Sequence, residues 1–217
     1  MNKFFFTLIM FVNFAYGADR VEVINDVQKI FQNVQTIDTS FDQIVRSTRF
    51  GDKKSSGKLL IARPGKMIWK YQNPKGRVFA ADGEIITLYD PEDKQALISQ
   101  QPKGGKLPAG FSFLMGEANL EKLFNVEVLH DQKNAKGNRE VVLMCKPKEQ
   151  DAGEFKTLEL TFVWAPKLQL VSSKTKDLMD SENEIHFDNM KFNEKLDANA
   201  FDVKLPKGTP VVTANSL

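Results

Sequence analysis

From Ser40 to Gln100 the chain reverses direction about every ten residues, and this rhythm constrains the fold more than any other feature. Ser40–Ser47, Gly57–Arg63, Lys66–Gln72, Arg77–Ala81, Glu84–Tyr89 and Gln95–Gln100 are short runs with a period of two. Successive side chains of an extended chain point to opposite faces, so these runs read as strands. Turn chemistry separates them: Arg63-Pro64-Gly65, Asn73-Pro74-Lys75-Gly76, Asp82-Gly83 and Asp90-Pro91. Asp82-Gly83 is the strongest hairpin signal, because both residues accept the positive φ of a tight turn. The pattern resumes at Arg139–Lys146, Lys156–Trp164, Gln169–Lys176, Asn183–Phe192 and Phe201–Leu205. So many strands on short connections form an antiparallel meander, and a sheet of that size must curl or close.

Two stretches break the rhythm. In residues 21–34, Val23, Val27, Ile30, Phe31 and Val34 fall at helical spacing, with Asp19 placed to cap an amphipathic helix. Between the strand blocks, residues 107–124 carry Phe111, Phe113, Leu114, Met115, Leu120, Leu123 and Phe124, with Glu117 or Asn119 able to start a short helix. That stretch is too apolar for a surface connection. The expected architecture is mainly β, of the α+β class: one long, curved antiparallel sheet with helices laid across its concave face. Such a cover buries the inner face without filling it completely. The inward face of residues 77–89 stays open, since both alternations carry apolar residues there.

The N-terminus reads as a secretory signal. Lys3 precedes an apolar run from Phe4 to Phe14, and Ala15-Tyr16-Gly17 supplies small residues for a peptidase, with cleavage expected after Gly17. The run is about half of the ~20 apolar residues needed to span a bilayer. Residues 18–217 are then expected to form a single domain. No cysteine follows the expected cleavage site, so no lipid anchor is expected there. Cys145 is the one cysteine of the chain, which leaves stability to the core rather than to a disulfide.

Composition narrows the chemistry further. Thirty basic residues face 28 acidic ones with no basic stripe, which argues against nucleic acid as a partner. His130 and His186 are far apart and outside any metal-binding frame, so no metal is expected. Gly110-Phe111-Ser112-Phe113-Leu114 lacks the closing glycine of a nucleophile elbow, and Gly104-Gly105 opens no phosphate-binding helix. No catalytic residue and no cofactor is therefore expected, and the chain reads as a non-enzyme. What stands out instead is apolar: 17 phenylalanines against three tyrosines and two tryptophans. With residues 107–124, this inventory favours a cavity for an acyl ligand over a plain core.

Five stretches in register resemble the LolA family, the periplasmic carriers of outer-membrane lipoproteins. Residues 57–71, Gly-Lys-Leu-Leu-Ile-Ala-Arg-Pro-Gly-Lys-Met-Ile-Trp-Lys-Tyr, look like its central strand pair. Ser40-Phe41-Asp42-Gln43 resembles its early strand, and Ala80-Ala81-Asp82-Gly83 with Leu88-Tyr89-Asp90-Pro91 its central hairpin. Phe113-Leu114-Met115-Gly116-Glu117-Ala118-Asn119-Leu120 is similar to its lid. The tail, Ile185-His186-Phe187-Asp188-Asn189 through Phe201-Asp202-Val203 to Pro206-Lys207-Gly208, also fits. Met67 departs from the pattern, an adaptable apolar residue where many members carry an aromatic.

The resemblance implies an incomplete β-barrel with an α-helical lid over a hydrophobic cavity, in a soluble periplasmic monomer. It implies acylated lipoprotein as cargo, an inner-membrane lipoprotein-releasing ABC transporter as donor and an outer-membrane lipoprotein acceptor. Arg63 is implied as a latch, its guanidinium holding lid carbonyls in the empty state. Alternation places Leu59 and Ile61 on the face of Arg63, and Met67, Trp69 and Tyr71 on one face of the next strand. With Phe41 these form the expected cavity wall. Phe111, Phe113, Leu114, Leu120, Leu123 and Phe124 form the expected lid. The rival reading is a periplasmic lipid- or lipoprotein-sensing regulator with the same half-barrel. Such relatives usually carry a second domain, for which little chain is left beyond Gly208.

Overall fold

A computed structural model describes residues 16–101, 120–148, 155–197 and 199–214. Helix α1 (Tyr16–Gln32) leads into β1 (Thr36–Ser47), β2 (Gly51–Ala62), β3 (Lys66–Asn73), β4 (Val78–Asp82), β5 (Ile85–Asp90) and β6 (Gln95–Gln100). A single turn, α2 (Leu120–Leu123), runs directly into β7 (Phe124–Lys133), followed by β8 (Arg139–Pro147) and β9 (Phe155–Trp164). Then come β10 (Leu168–Asp177), β11 (Glu182–Phe192) and β12 (Val211–Ala214). All described strands join one open curved sheet in the order β12-β6-β5-β4-β3-β2-β1-β11-β10-β9-β8-β7. Every neighbouring pair is antiparallel except β12, which adds to β6 in parallel. The mainly-β open half-barrel is thus the architecture.

Three elements differ from the sequence expectation. Residues 201–205 are not a strand. Phe201 packs with Leu60, Ile68 and Ala80 on the convex face, and Lys70 Nζ donates to the Ala200 carbonyl at 2.8 Å. A strap lying on one face shows the same alternation of Phe201, Val203 and Leu205 as a strand would. Residues 124–133 form the edge strand β7, so Phe124, expected in the lid, belongs to the sheet. The third is β12, which is too short at four residues to stand out after Pro210.

The strap explains why Leu59-Leu60-Ile61 is a continuous apolar run. Leu59 and Ile61 face the concave core, and Leu60 faces the strap. The concave core is built from Val23, Ile24, Val27, Phe31 and Val34 of α1 and its exit, laid against the inner residues of β1–β3 and β7–β11. Phe31 meets the rings of Phe162 and Phe192 edge-on, each at 5.8 Å.

Gly57 sits in the inward column of β2, between Phe41 of β1 and Tyr71 of β3. With no side chain between them, those two rings meet at 5.2 Å. A Cβ on Gly57 would stand 2.3 Å from the Lys70 carbonyl oxygen and 2.9 Å from Tyr71 Cα, both backbone atoms. Gly57→Ala must therefore move a strand, and a destabilisation of about 3 kcal/mol is expected in denaturant titration, the upper end for overpacking. An unchanged midpoint would mean that the pleat there yields freely.

Candidate functional site

The two halves of the concave face differ. Over β7–β11 and the Arg63 end of β1–β3, α1 packs its apolar residues into the trough as one buried core. Toward the opposite end of β1 and β3–β6 the trough is empty, a cavity of about 570 Å³. This lies within the ~300–1,000 Å³ usual for ligand sites. Its apolar wall is Trp69, Phe79, Leu88, Leu97, Ile185 and Val212. Phe79 and Leu88 lie opposite each other on β4 and β5, which settles their inward face.

Polar groups gather at the rim. The Tyr71 hydroxyl donates to Gln43 Oε1 at 3.2 Å, and Gln43 Nε2 donates to Asn183 Oδ1 at 2.8 Å. The Arg77 guanidinium lies 5.6 Å from the centre of the Tyr71 ring and is bound to Asp90 Oδ2 at 2.5 and 2.7 Å. Burial pushes the Tyr71 hydroxyl above its ordinary pKa, opposed by the charge of Arg77, so it remains a donor at neutral pH. An apolar chamber with a hydrogen-bonding rim can take an alkyl chain and leave a polar head outside.

Of the expected wall residues, Trp69 and Tyr71 border the cavity. Phe41, Leu59, Ile61 and Met67 share the concave side but are wholly packed in the core. The Phe41 and Trp69 rings meet edge-to-face with centres 4.8 Å apart, so Phe41 backs the wall rather than forming its surface. Sequence reasoning does not single out Gln43, Arg77, Phe79, Leu88, Leu97, Asn183 or Ile185 as lining residues. For Phe79 and Leu88 the alternation in β4 and β5 is a signal, but Ala80 is buried on the convex side and obscures it.

Arg63 follows the end of β2. Its Nη1 donates to the Phe31 carbonyl in a very short contact and to the Gln32 carbonyl at 3.5 Å. The last carbonyls of a helix have no partner within it, and a cation there complements the helix dipole. Arg63 therefore ties down the C-terminal end of α1, the helix that covers the core. The Arg63 amide also donates to the Gln35 carbonyl at 2.9 Å.

Phe111, Phe113 and Leu114 lie outside the described residues. Leu120 is fully buried in α2 and Leu123 is half-buried beside it. Gln28 of α1 accepts the Leu120 amide at 3.0 Å, so α1 and α2 are joined directly. Phe124, in β7, stacks on Phe155 at 6.2 Å.

Cys145 is buried in the core and its thiol is pushed up to about 12, which leaves it protonated and unreactive. Among the described residues no group of His, Cys, Asp and Glu could hold a metal ion. Nor is any described helix long and apolar enough to cross a membrane.

The family described as outer membrane lipoprotein carrier protein LolA matches residues 32–204 of the chain. A protein named outer-membrane lipoprotein carrier protein from Hahella chejuensis is 31% identical over 189 residues, covering 84% of each chain. One of the same name from Legionella pneumophila (strain Paris) is 27% identical over 214 residues, covering 98% of this chain and 99% of its own. Among solved structures, an uncharacterized conserved protein from Thermus thermophilus superposes with a TM-score of 0.56 at 10% identity. It covers 90% of this chain and 99% of that one, a likeness of fold.

Proposed function

The chain belongs to the LolA family of outer-membrane lipoprotein carrier proteins, and on that premise we propose that its half-empty trough carries the acyl chains of lipoproteins through the periplasm. The observation that carries this reading is the unfilled apolar cavity beside a fully packed half of the same concave face. In this reading the signal is cut near Gly17 and residues 18–217 act as one soluble, monomeric and non-catalytic unit. Cargo enters from an inner-membrane ABC transporter and leaves to an outer-membrane acceptor. The expected cleavage position lies within α1, which is described from Tyr16 onward.

Each methylene taken from water contributes about 0.8 kcal/mol, so long acyl chains cannot cross an aqueous compartment bare. Directional transfer needs a holding site less favourable than the receiving one. A chamber with an open polar rim has that character, since part of its occupant stays near water. Arg63 holds the end of α1 over the packed half of the trough, and in this reading release of that helix end extends the chamber along the concave face.

Purified protein is expected to bind a fluorescent fatty acid, with displacement by an acylated peptide and none by the unacylated peptide. No binding at any concentration overturns the cavity reading. Depletion of the protein is expected to leave lipoproteins at the inner membrane. An unchanged lipoprotein distribution with an altered envelope stress signal would favour the sensor reading instead.

A further inference from the structure

The three most exposed large apolar side chains described are Met179, Leu178 and Phe50, at 80%, 67% and 73% accessibility. They are not scattered. Phe50 is at the β1–β2 tip, Leu178 and Met179 at the β10–β11 tip, and β11 pairs with β1 so that Arg46 lies opposite Glu182. The two tips therefore stand side by side. They extend past Gln43 and Asn183, which border the cavity, so they crown one side of its mouth.

Both tips are built rather than loose. Ser47 Oγ accepts the amides of Arg49 and Phe50 at 3.3 Å. Asp177 Oδ1 accepts the amides of Met179 and Ser181 at 2.8 Å, and the Asp177 amide donates to the Ser181 carbonyl. With backbone polar groups satisfied locally, the apolar side chains are held outward.

The charge around them has a sign. Asp180 is matched by Lys156 at 3.0 Å and Lys176 at 3.6 Å, and Glu182 by Lys174 at 3.4 Å. Arg46 holds Glu184. In residues 46–54, around the β1–β2 tip, Arg49 lies 5.3 Å from the centre of the Phe50 ring, and Lys53 and Lys54 are exposed, with Asp52 the one acid of that stretch. Apolar tips fringed by cations match the boundary between headgroups and acyl chains of an anionic bilayer. Three side chains fall far short of the ~800 Å² per partner of a standard protein interface.

We propose that the paired tips carrying Phe50, Leu178 and Met179 dip into the surface of an anionic membrane, setting the cavity mouth against the lipid. The contact is weak and reversible, because few methylenes enter. It shortens the path an acyl chain would travel through water.

The full chain is expected to sediment with vesicles of phosphatidylethanolamine and phosphatidylglycerol, and much less with phosphatidylcholine alone. Phe50→Ser/Leu178→Ser/Met179→Ser is expected to lower the partition at least fivefold. Lys53→Gln/Lys54→Gln should lower it about fivefold per charge on the anionic vesicles only. Both variants alter exposed residues, so unfolding midpoint and fatty-acid affinity should stay at the wild-type values. No vesicle binding by the wild type, or equal binding by the triple variant, overturns the proposal. Capture of the tips by a protein with no vesicle binding does so too. Vesicle binding without fatty-acid binding would instead sink the acyl-cavity reading alone.

Discussion

Arg63→Leu is expected to leave lipoprotein stranded on the carrier, with handover to an acceptor falling tenfold or more. The wild-type guanidinium donates to the carbonyls of Phe31 and Gln32, where α1 ends above the packed core. A hydrogen bond from a charged donor contributes about 1.5–3 kcal/mol. Leucine has no donor, so the closed, empty form loses about that much relative to the open, loaded one. A ligand that prefers the open form is then held more tightly, since its apparent affinity rises with the population of the competent state. Loading is retained and release suffers. Arg63→Lys should fall between, because an ammonium keeps the charge but loses the rigid guanidinium that carries Nη1 to both carbonyls. The measurement is the fraction of labelled lipoprotein passed to an acceptor, set beside fatty-acid affinity for the same variants. Handover at the wild-type rate by Arg63→Leu would remove the latch.

Much of this arrangement is legible in the chain before any coordinates, and the illegible parts have physical causes. The helix over residues 21–34 is read from the 3.6-residue spacing of Val23, Val27 and Phe31, and α1 buries those residues. Turn residues announce the hairpins from β2 to β6, because Asp82-Gly83 and Asp90-Pro91 act locally. β7 escapes notice although Phe124, Val126 and Val128 alternate. Phe124 alone is fully buried in that edge strand, and it adjoins the apolar Leu120 and Leu123 of α2. Apolar spacing identifies what is buried but not which layer buries it. The same limit produces the strand reading of residues 201–205.

The cavity is less legible than the fold. Phe41, Leu59, Ile61 and Met67 lie on the same face as Trp69, and alternation cannot tell a residue under α1 from one beside empty space. That distinction depends on how far α1 reaches, which is a property of tertiary packing. The polar rim is equally hidden. Gln43 and Asn183 are 140 positions apart and meet only through the pairing of β1 with β11.

The packed half offers the largest stability effect. Phe31→Ala is expected to cost about 3–5 kcal/mol, as for other buried phenylalanines, read from chemical denaturation. The ring is 1% exposed and holds the edges of both Phe162 and Phe192, on β9 and β11, so little can collapse into the gap. The same residue's carbonyl accepts from Arg63, so its side chain anchors the acceptor that the latch grips. The two substitutions should therefore not act independently. Once the ring is gone and the helix end has loosened, removal of the arginine donor has less closed structure left to undo. In a double-mutant cycle, Phe31→Ala with Arg63→Leu is expected to show a coupling of about 1 kcal/mol in unfolding free energy. A loss of handover smaller than the product of the two single effects should accompany it. Additivity within about 0.5 kcal/mol would show that the helix end is held by the rest of α1 and that Arg63 merely rests against it.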